Sequence, residues 1–222
     1  MSINIAIDGP AGAGKSTVAK LLSKRLGFIY IDTGAMYRAM ALFVKERGIS
    51  TEDEAAIEQA CEQAVITIQY MDSEQQVLLN GMNVNDRIRQ EEIGNMASGI
   101  SVYPKVRKKL VSLQQELAAN ENVIMDGRDI GTCVLPDADV KIYLTASVKT
   151  RAERRFAELT DKGISSSLEE IKKDIEDRDY RDMNRATSPL RQAEDAVLLD
   201  TSNLVIEETV DKMYEIYQEK IK

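Results

Sequence analysis

The sequence predicts an α/β fold: a P-loop-type core with a five-stranded, mostly parallel sheet flanked by helices. Three observations lead there. Short apolar segments rich in β-branched residues alternate with helix-period segments along most of the 222 residues. A glycine-rich loop, "GPAGAGKST", separates the first strand pattern from the first helix pattern. The one long departure from this rhythm, about residues 50 to 99, reads as a lobe inserted into the core.

The elements follow in order. "INIAID", Ile3 to Asp8, is an apolar strand. A helix runs from Lys15 to Leu26 with Val18, Leu21, Leu22 and Leu26 along one face, and Gly27 stops it. Phe28 to Asp32 is the second strand, after which helix resumes near Ala35 and continues to Gly48. In the lobe a helix from Glu52 to about Gln63 precedes "VITIQY" and "QVLLNG". Their alternation suits paired antiparallel strands, with turns at "MDSEQ" and "NGMN". Val123 to Asp126, Val140 to Thr145 and Ala196 to Asp200 complete the sheet, and Ile206 to Ile221 closes the chain as a helix. The expected organisation is a core of residues 1–50, 100–150 and 187–222, the lobe at 51–99, and a highly charged helical lid at 151–186, lobe and lid both mobile.

Composition narrows the chemistry. The chain has no histidine, which excludes a histidine-based triad and every histidine-containing zinc site. Cys61 and Cys133 are its only cysteines, too few for a structural zinc site, and both read as small buried apolar residues. A formal net charge of −8 argues against a general nucleic-acid surface, so an anionic ligand must be held locally. No leader pattern and no apolar run of membrane-spanning length occurs, so a cytoplasmic protein without a membrane partner is expected. Nothing demands more than a monomer.

The loop carries the first specific chemistry. Gly9, Pro10, Ala11, Gly12, Ala13, Gly14, Lys15, Ser16 and Thr17 match G-x-x-x-x-G-K-[ST] between a strand and a helix. Backbone N–H groups turn inward around a polyphosphate, and the helix N-terminus adds its positive end. Lys15 reaches the β/γ-phosphates and the Ser16 hydroxyl is the candidate Mg²⁺ ligand. ATP with Mg²⁺ is therefore the expected first ligand. No guanine-reading Asn-Lys-x-Asp segment is present.

Further candidates gather at the carboxyl ends of the strands, where open parallel sheets bind ligands. "DTGAMYR" supplies Thr33, a hydroxyl and helix N-cap, and Arg38. "VIMDGRDIGT" delivers Asp126, Arg128 and Asp129 to the same edge, and "YPKVRKKL" contains Arg107. Arg151, Arg154 and Arg155 share one helical face, as do Arg178, Arg181 and Arg185. Such arginine stripes suit a lid that closes on phosphates. On these residues alone two functions stay open: a small-molecule kinase whose lids exclude water, and a nucleotide-dependent switch that signals through the inserted lobe.

Together "GPAGAGKST", "DTGAMYR", "NGMNVNDRIR", "YPKVR", "DGRDIGT", "RDYRDMNRATSPL" and "LLDTSNL", in that order, resemble the cytidylate kinase family over nearly the whole chain. The lobe resembles the extended monophosphate-binding insert of its bacterial form. The resemblance implies phosphorylation of CMP and dCMP by ATP. It implies that Thr33 and Arg38 contact the acceptor's phosphate region and that Ser98, Arg107 and Asp129 read the cytosine edge. Arg128 would approach the transferring phosphoryl group, Arg178 and Asp182 the sugar hydroxyls and phosphate, and Arg185 the phosphates. Asp200 to Leu204 would lie near the adenine, or cap the last helix.

Overall fold

Five parallel strands form the central sheet in the order β2-β6-β1-β7-β8. The computed structural model describes residues 2–71 and 74–222. In chain order, β1 (Asn4–Asp8) leads through the glycine loop into α1 (Lys15–Leu26), and β2 (Ile29–Asp32) into α2 (Thr33–Glu46). The lobe follows with α3 (Glu54–Gln63), antiparallel β3 (Ile66–Met71), β4 (Glu74–Leu79) and β5 (Met82–Asn83), and α4 (Glu91–Ile100). The core resumes with α5 (Pro104–Ala118), β6 (Val123–Gly127) and β7 (Val140–Thr145). After the paired helices α6 (Val148–Asp161) and α7 (Leu168–Asn184) it ends on β8 (Val197–Asp200) and α8 (Ile206–Lys220).

The strands are apolar on both sides because helices cover both faces. Successive side chains alternate between the layers. Ile5 and Ile7 pack with Val18 and Leu22 of α1 and with Val210 and Met213 of α8, whereas Ala6 packs with α2 and α5 on the opposite face. The chain order reverses beside β1: α1 carries it toward β2, and β7 lies on the other flank. The register aligns Asp8 with Gly127 and Asp32 with Asp126, so three strands deliver their carboxylates to one edge, at the switch point.

The lobe is not a body with a separate core. Ile57, Ile66, Val77, Leu79, Ile88 and Ile93 are buried in the same apolar cluster as Met36 and Met40 of α2. Its β3–β4 hairpin grips the outer margin of β2 with side chains. Gln75 accepts from Asp32 N at 2.8 Å and donates to Asp32 O at 3.2 Å, while the Tyr70 hydroxyl donates to Tyr30 O at 3.2 Å. Tyr70 and Gln75 are themselves a cross-strand pair. Asn80 and Gly81 both take positive φ, 51° and 82°, as the two-residue hairpin turn expected at "NGMN" requires. The turn expected at "MDSEQ" falls on residues 72 and 73, outside the described residues.

The α6–α7 pair carries a small apolar cluster of its own, Ala152, Leu159, Ile171 and Ile175. None of these four belongs to either of the two main apolar clusters.

Two local expectations are corrected. Thr33 is not the N-cap of α2. The helix begins at Thr33, and the cap is Asp32, whose carboxylate accepts from Ala35 N at 2.9 Å. Cys61 is buried as expected, but Cys133 is exposed. It lies in a π-helical turn, Ile130–Val134, whose wider winding shifts the phase of side chains relative to a regular helix.

Candidate active site

The glycine loop is held where β1 meets β7. Gly9 has φ 151°, and a Cβ there would sit 1.9 Å from Leu144 O, so only glycine lets the loop lie against β7. Gly14, at φ 88°, ends the loop as the N-cap of α1 and offers no side-chain cap, and the first turn carries no acidic residue. That leaves N–H groups at the start of α1 directed out of the helix, the arrangement that receives a phosphate. Lys15 is only 6% exposed. Its Nζ donates to Gly9 O at 2.8 Å and Pro10 O at 2.7 Å, which holds the ammonium group over the loop. Burial, and next the Arg128 charge, push the Lys15 pKa well below the ordinary lysine value.

Below the loop, Asp126 is the hub. Its Oδ2 accepts from Ser16 Oγ at 2.7 Å and its Oδ1 from the Tyr30 hydroxyl at 2.8 Å, and its carbonyl accepts from Thr33 Oγ1 at 2.6 Å. Burial, and then the neighbouring Asp32 carboxylate, raise the Asp126 pKa. Burial likewise raises the Tyr30 phenol, reinforced by Asp126, and keeps it an O–H donor. The Ser16 hydroxyl has its hydrogen on Asp126 and its lone pairs free to face a cation. A hydroxyl beside a carboxylate is a hard-oxygen pair of the kind Mg²⁺ accepts together with phosphate oxygens and waters, so these residues fit that ion. Asp126 was not foreseen as a partner of Ser16.

Asp8, at the end of β1, accepts from Ile130 N and Gly131 N, each at 2.7 Å. Burial outweighs these two donors and lifts its pKa to about 6.

The arginines gather opposite. Arg128 Nε donates to Asp182 Oδ2 at 2.8 Å, tying β6 to α7. Burial opposes the Asp182 charge, but Arg128, Arg178 and Arg185 together hold its pKa below the usual carboxylate range. Arg38 packs between Gly34 and Gly94, where Cβ atoms would approach its guanidinium at 3.5 Å and 3.8 Å. Burial lowers its pKa. Arg178 is pushed down to about 10 by burial and then by Arg128, and its Nε is buried with no hydrogen-bond partner among the described residues. Arg89, from the lobe, pairs with Asp32 at 3.1 Å. Residues 51–99, the sheet edge and α7 thus each supply arginine, and at Arg178 a donor is left over among the described residues.

Just after β6, Asp129 pairs with Arg107, both buried, and with Arg185 at 3.3 Å. Arg107 Nη1 also donates to Ser101 O at 3.3 Å and Arg185 Nη1 to Ser101 Oγ at 3.4 Å, while Ser101 Oγ donates to Ser98 O at 2.8 Å. Ser98 is thus brought beside the Arg107–Asp129 pair through Ser101, which sequence reasoning missed although it lies one turn further on.

The two arginine stripes do not act as units. Arg151 is buried and donates to Ala146 O, to Ala11 O of the loop at 2.8 Å and to Asp179 at 2.6 Å. Arg154 donates to Thr201 O at 2.7 Å, which fastens the Asp200–Leu204 segment. Arg155 is half-buried and pairs with Glu158 of its own helix and, at 3.9 Å, with Glu91 of α4, while Arg181 donates to Asp177 O at 3.3 Å.

Comparison with known proteins agrees in direction. The sequence model of a family described as Cytidylate kinase matches residues 5–219. A protein of Lactobacillus johnsonii named Cytidylate kinase is 51% identical, over 99% of this chain and 96% of its own. Another so named, from Caldicellulosiruptor saccharolyticus, is 50% identical, over 99% of this chain and 97% of its own. Among solved structures, an uncharacterized protein from Eubacterium ventriosum superposes with a TM-score of 0.54 at 10% identity, covering 99% of both chains. One from Thermus thermophilus gives 0.50 at 18% identity, covering 100% of this chain and 98% of that one. These last two bear on the fold alone.

Proposed function

Because the chain belongs to the cytidylate kinase family, and is therefore a nucleoside monophosphate kinase acting on CMP and dCMP, we propose that ATP with Mg²⁺ is the phosphoryl donor. We assign its two nucleotides to the two ends of the strip from Lys15 to Asp129. The observation that carries this assignment is Arg178. A half-buried guanidinium whose Nε is buried and unpartnered among the described residues, with a depressed pKa and with Arg38 and Arg128 nearby, is a receptor for an anion. The transferring phosphoryl group lies between it and Lys15.

The donor triphosphate lies in the loop Gly9–Thr17, on the N–H groups that open α1. Ser16, with Asp126 behind it, would hold Mg²⁺, which screens the phosphate charge and orients the donor. The acceptor is a phosphate oxygen, already ionised near neutral pH, so no general base is needed. Lys15, Arg128 and Arg178 neutralise charge that develops in flight. Thr33 and Arg38 sit on the acceptor phosphate's side, Asp182 and Arg178 near the sugar, and Arg185 over the phosphates.

Cytosine offers an amine donor where uracil has a carbonyl. Asp129 accepts from that amine, and Arg107 and Ser98 donate to the ring acceptors. Uracil in the same pose would set two acceptors face to face, and a site of buried hydrogen bonds rejects such a mismatch strongly. We take the working unit to be a monomer in the cytoplasm. No described helix is long and apolar enough to cross a membrane.

The test is a steady-state assay with ATP and Mg²⁺ against CMP, dCMP, UMP and AMP. ADP should form only when an acceptor is present, and fastest with the cytidylates. Slow ADP release without any acceptor would instead indicate a hydrolytic switch.

A further inference from the structure

The Asp126 carboxylate is gripped at both oxygens, and only one grip belongs to the phosphate loop. Ser16 Oγ holds Oδ2 at 2.7 Å, and the Tyr30 hydroxyl holds Oδ1 at 2.8 Å. Tyr30 lies on β2, two residues before Asp32, which stands opposite Asp126 in the register. Its ring is buried in the apolar cluster beneath α1, with Val18, Leu22 and Ile124. A phenylalanine would fill that space with no hydroxyl to satisfy, but would leave Asp126 Oδ1 without this donor. A hydroxyl placed there must find a partner, and its partner is the carboxylate oxygen that faces away from Ser16.

Two anchored oxygens stop the carboxylate from rotating, so Oδ2 stays turned toward Ser16. Tyr30 is in turn fixed from outside the core, because the Tyr70 hydroxyl of the lobe donates to its carbonyl at 3.2 Å. We propose that Tyr30 is a positioning residue for the donor's divalent cation, holding Asp126 in the orientation that presents the Ser16–Asp126 pair. This rests on the reading of that pair as the Mg²⁺ site. Groups that orient a metal's oxygen partners from behind commonly govern its affinity by about 10–100-fold.

The test uses the whole chain with Tyr30→Phe and Tyr30→Leu, either of which carries it if folded by thermal unfolding. Mn²⁺ affinity of the ADP complex is measured by electron paramagnetic resonance, and ADP affinity in EDTA by calorimetry. The expected result is a loss of about tenfold in Mn²⁺ affinity, with ADP affinity in EDTA unchanged within about twofold. Unchanged Mn²⁺ affinity overturns the proposal. So does a parallel fall of ADP affinity with and without metal, which would make Tyr30 a packing residue only. Wild-type protein separates the premise. If Mn²⁺ does not bind its ADP complex more tightly than free ADP, the Ser16–Asp126 assignment fails and the role of Tyr30 falls with it.

Discussion

Arg107 and Asp129 form an ion pair almost closed to water, with side chains 5% and 8% exposed, that joins α5 to the turn after β6. Ion pairs in the interior are held by geometry as much as by attraction, since both charges have lost their hydration. Here the geometry is supplied by α5, by the end of β6 and by Ser101.

Asp129→Ala should cut the preference for CMP over UMP by about tenfold or more, leaving the KM for ATP within about twofold. It strands Arg107, so a stability loss of about 3–5 kcal/mol is expected as well. Competing-substrate kinetics at a temperature where the variant is folded measure the first effect. Equal losses for both acceptors would count against base reading at this residue.

Lys15→Ala should lower turnover by about 10²–10³-fold or more while the protein still unfolds cooperatively. Among the described residues the side chain bonds only to Gly9 O and Pro10 O of its own loop, so its removal breaks no bond to a distant element there. Full activity in a folded variant would end the phosphate-loop assignment.

Gly9→Ala meets a wall. The new methyl would lie 1.9 Å from a backbone carbonyl, at a φ of 151° that suits only glycine. A destabilisation of about 3 kcal/mol or more is expected, and ATP should no longer raise the melting temperature.

Arg151→Met keeps much of the volume but removes the strut joining the loop, the start of α6 and α7. Asp179 then stays buried without its partner, at a cost of about 3–5 kcal/mol. The KM for ATP should rise about tenfold through loss of loop and lid positioning, with the KM for CMP little changed.

Asp8 should titrate near pH 6 rather than at its ordinary value of 3.8. The native state binds this proton more tightly than the unfolded chain. The contribution of Asp8 to stability therefore rises as pH falls from above 6 toward 4, and its carboxylate form costs about 3 kcal/mol at neutral pH. Carbon-13 titration of the carboxyl group checks the midpoint. A midpoint near 4 would show that the two N–H donors dominate over burial.

Much of the donor half was legible because its signals are local: strand, glycine loop and helix follow each other within thirty residues. Asp32, Asp126 and Asp129 were visible as strand ends. The partnership of Ser16 with Asp126 was not, because it spans 110 residues and depends on β1 and β2 both pairing with β6. Helical period placed Arg151, Arg154 and Arg155 on one face correctly, but what covers a face is a tertiary fact. Arg151 met the loop, Arg154 met Thr201, and Arg155 met Glu158 on its own helix and Glu91 of α4. Thr33 gave up the capping role to Asp32 because the helix started two residues earlier than its apolar pattern suggested. Cys133 was misjudged because its residue type alone was taken to bury it, whereas the π-helical turn buries Ile130, Gly131 and Val134 and leaves Cys133 outward.

The grip of Tyr70 and Gln75 on β2 also bears on how molecules of this protein meet one another. β2 lies at the margin of the parallel sheet, and a bare margin is a template on which a strand from another copy can pair and aggregate. Tyr30 O, Asp32 N and Asp32 O are already bonded to side chains of the lobe. A foreign strand arriving there would first have to pull the hairpin away, so the lobe that shapes the active site also guards the chain against self-association along that side.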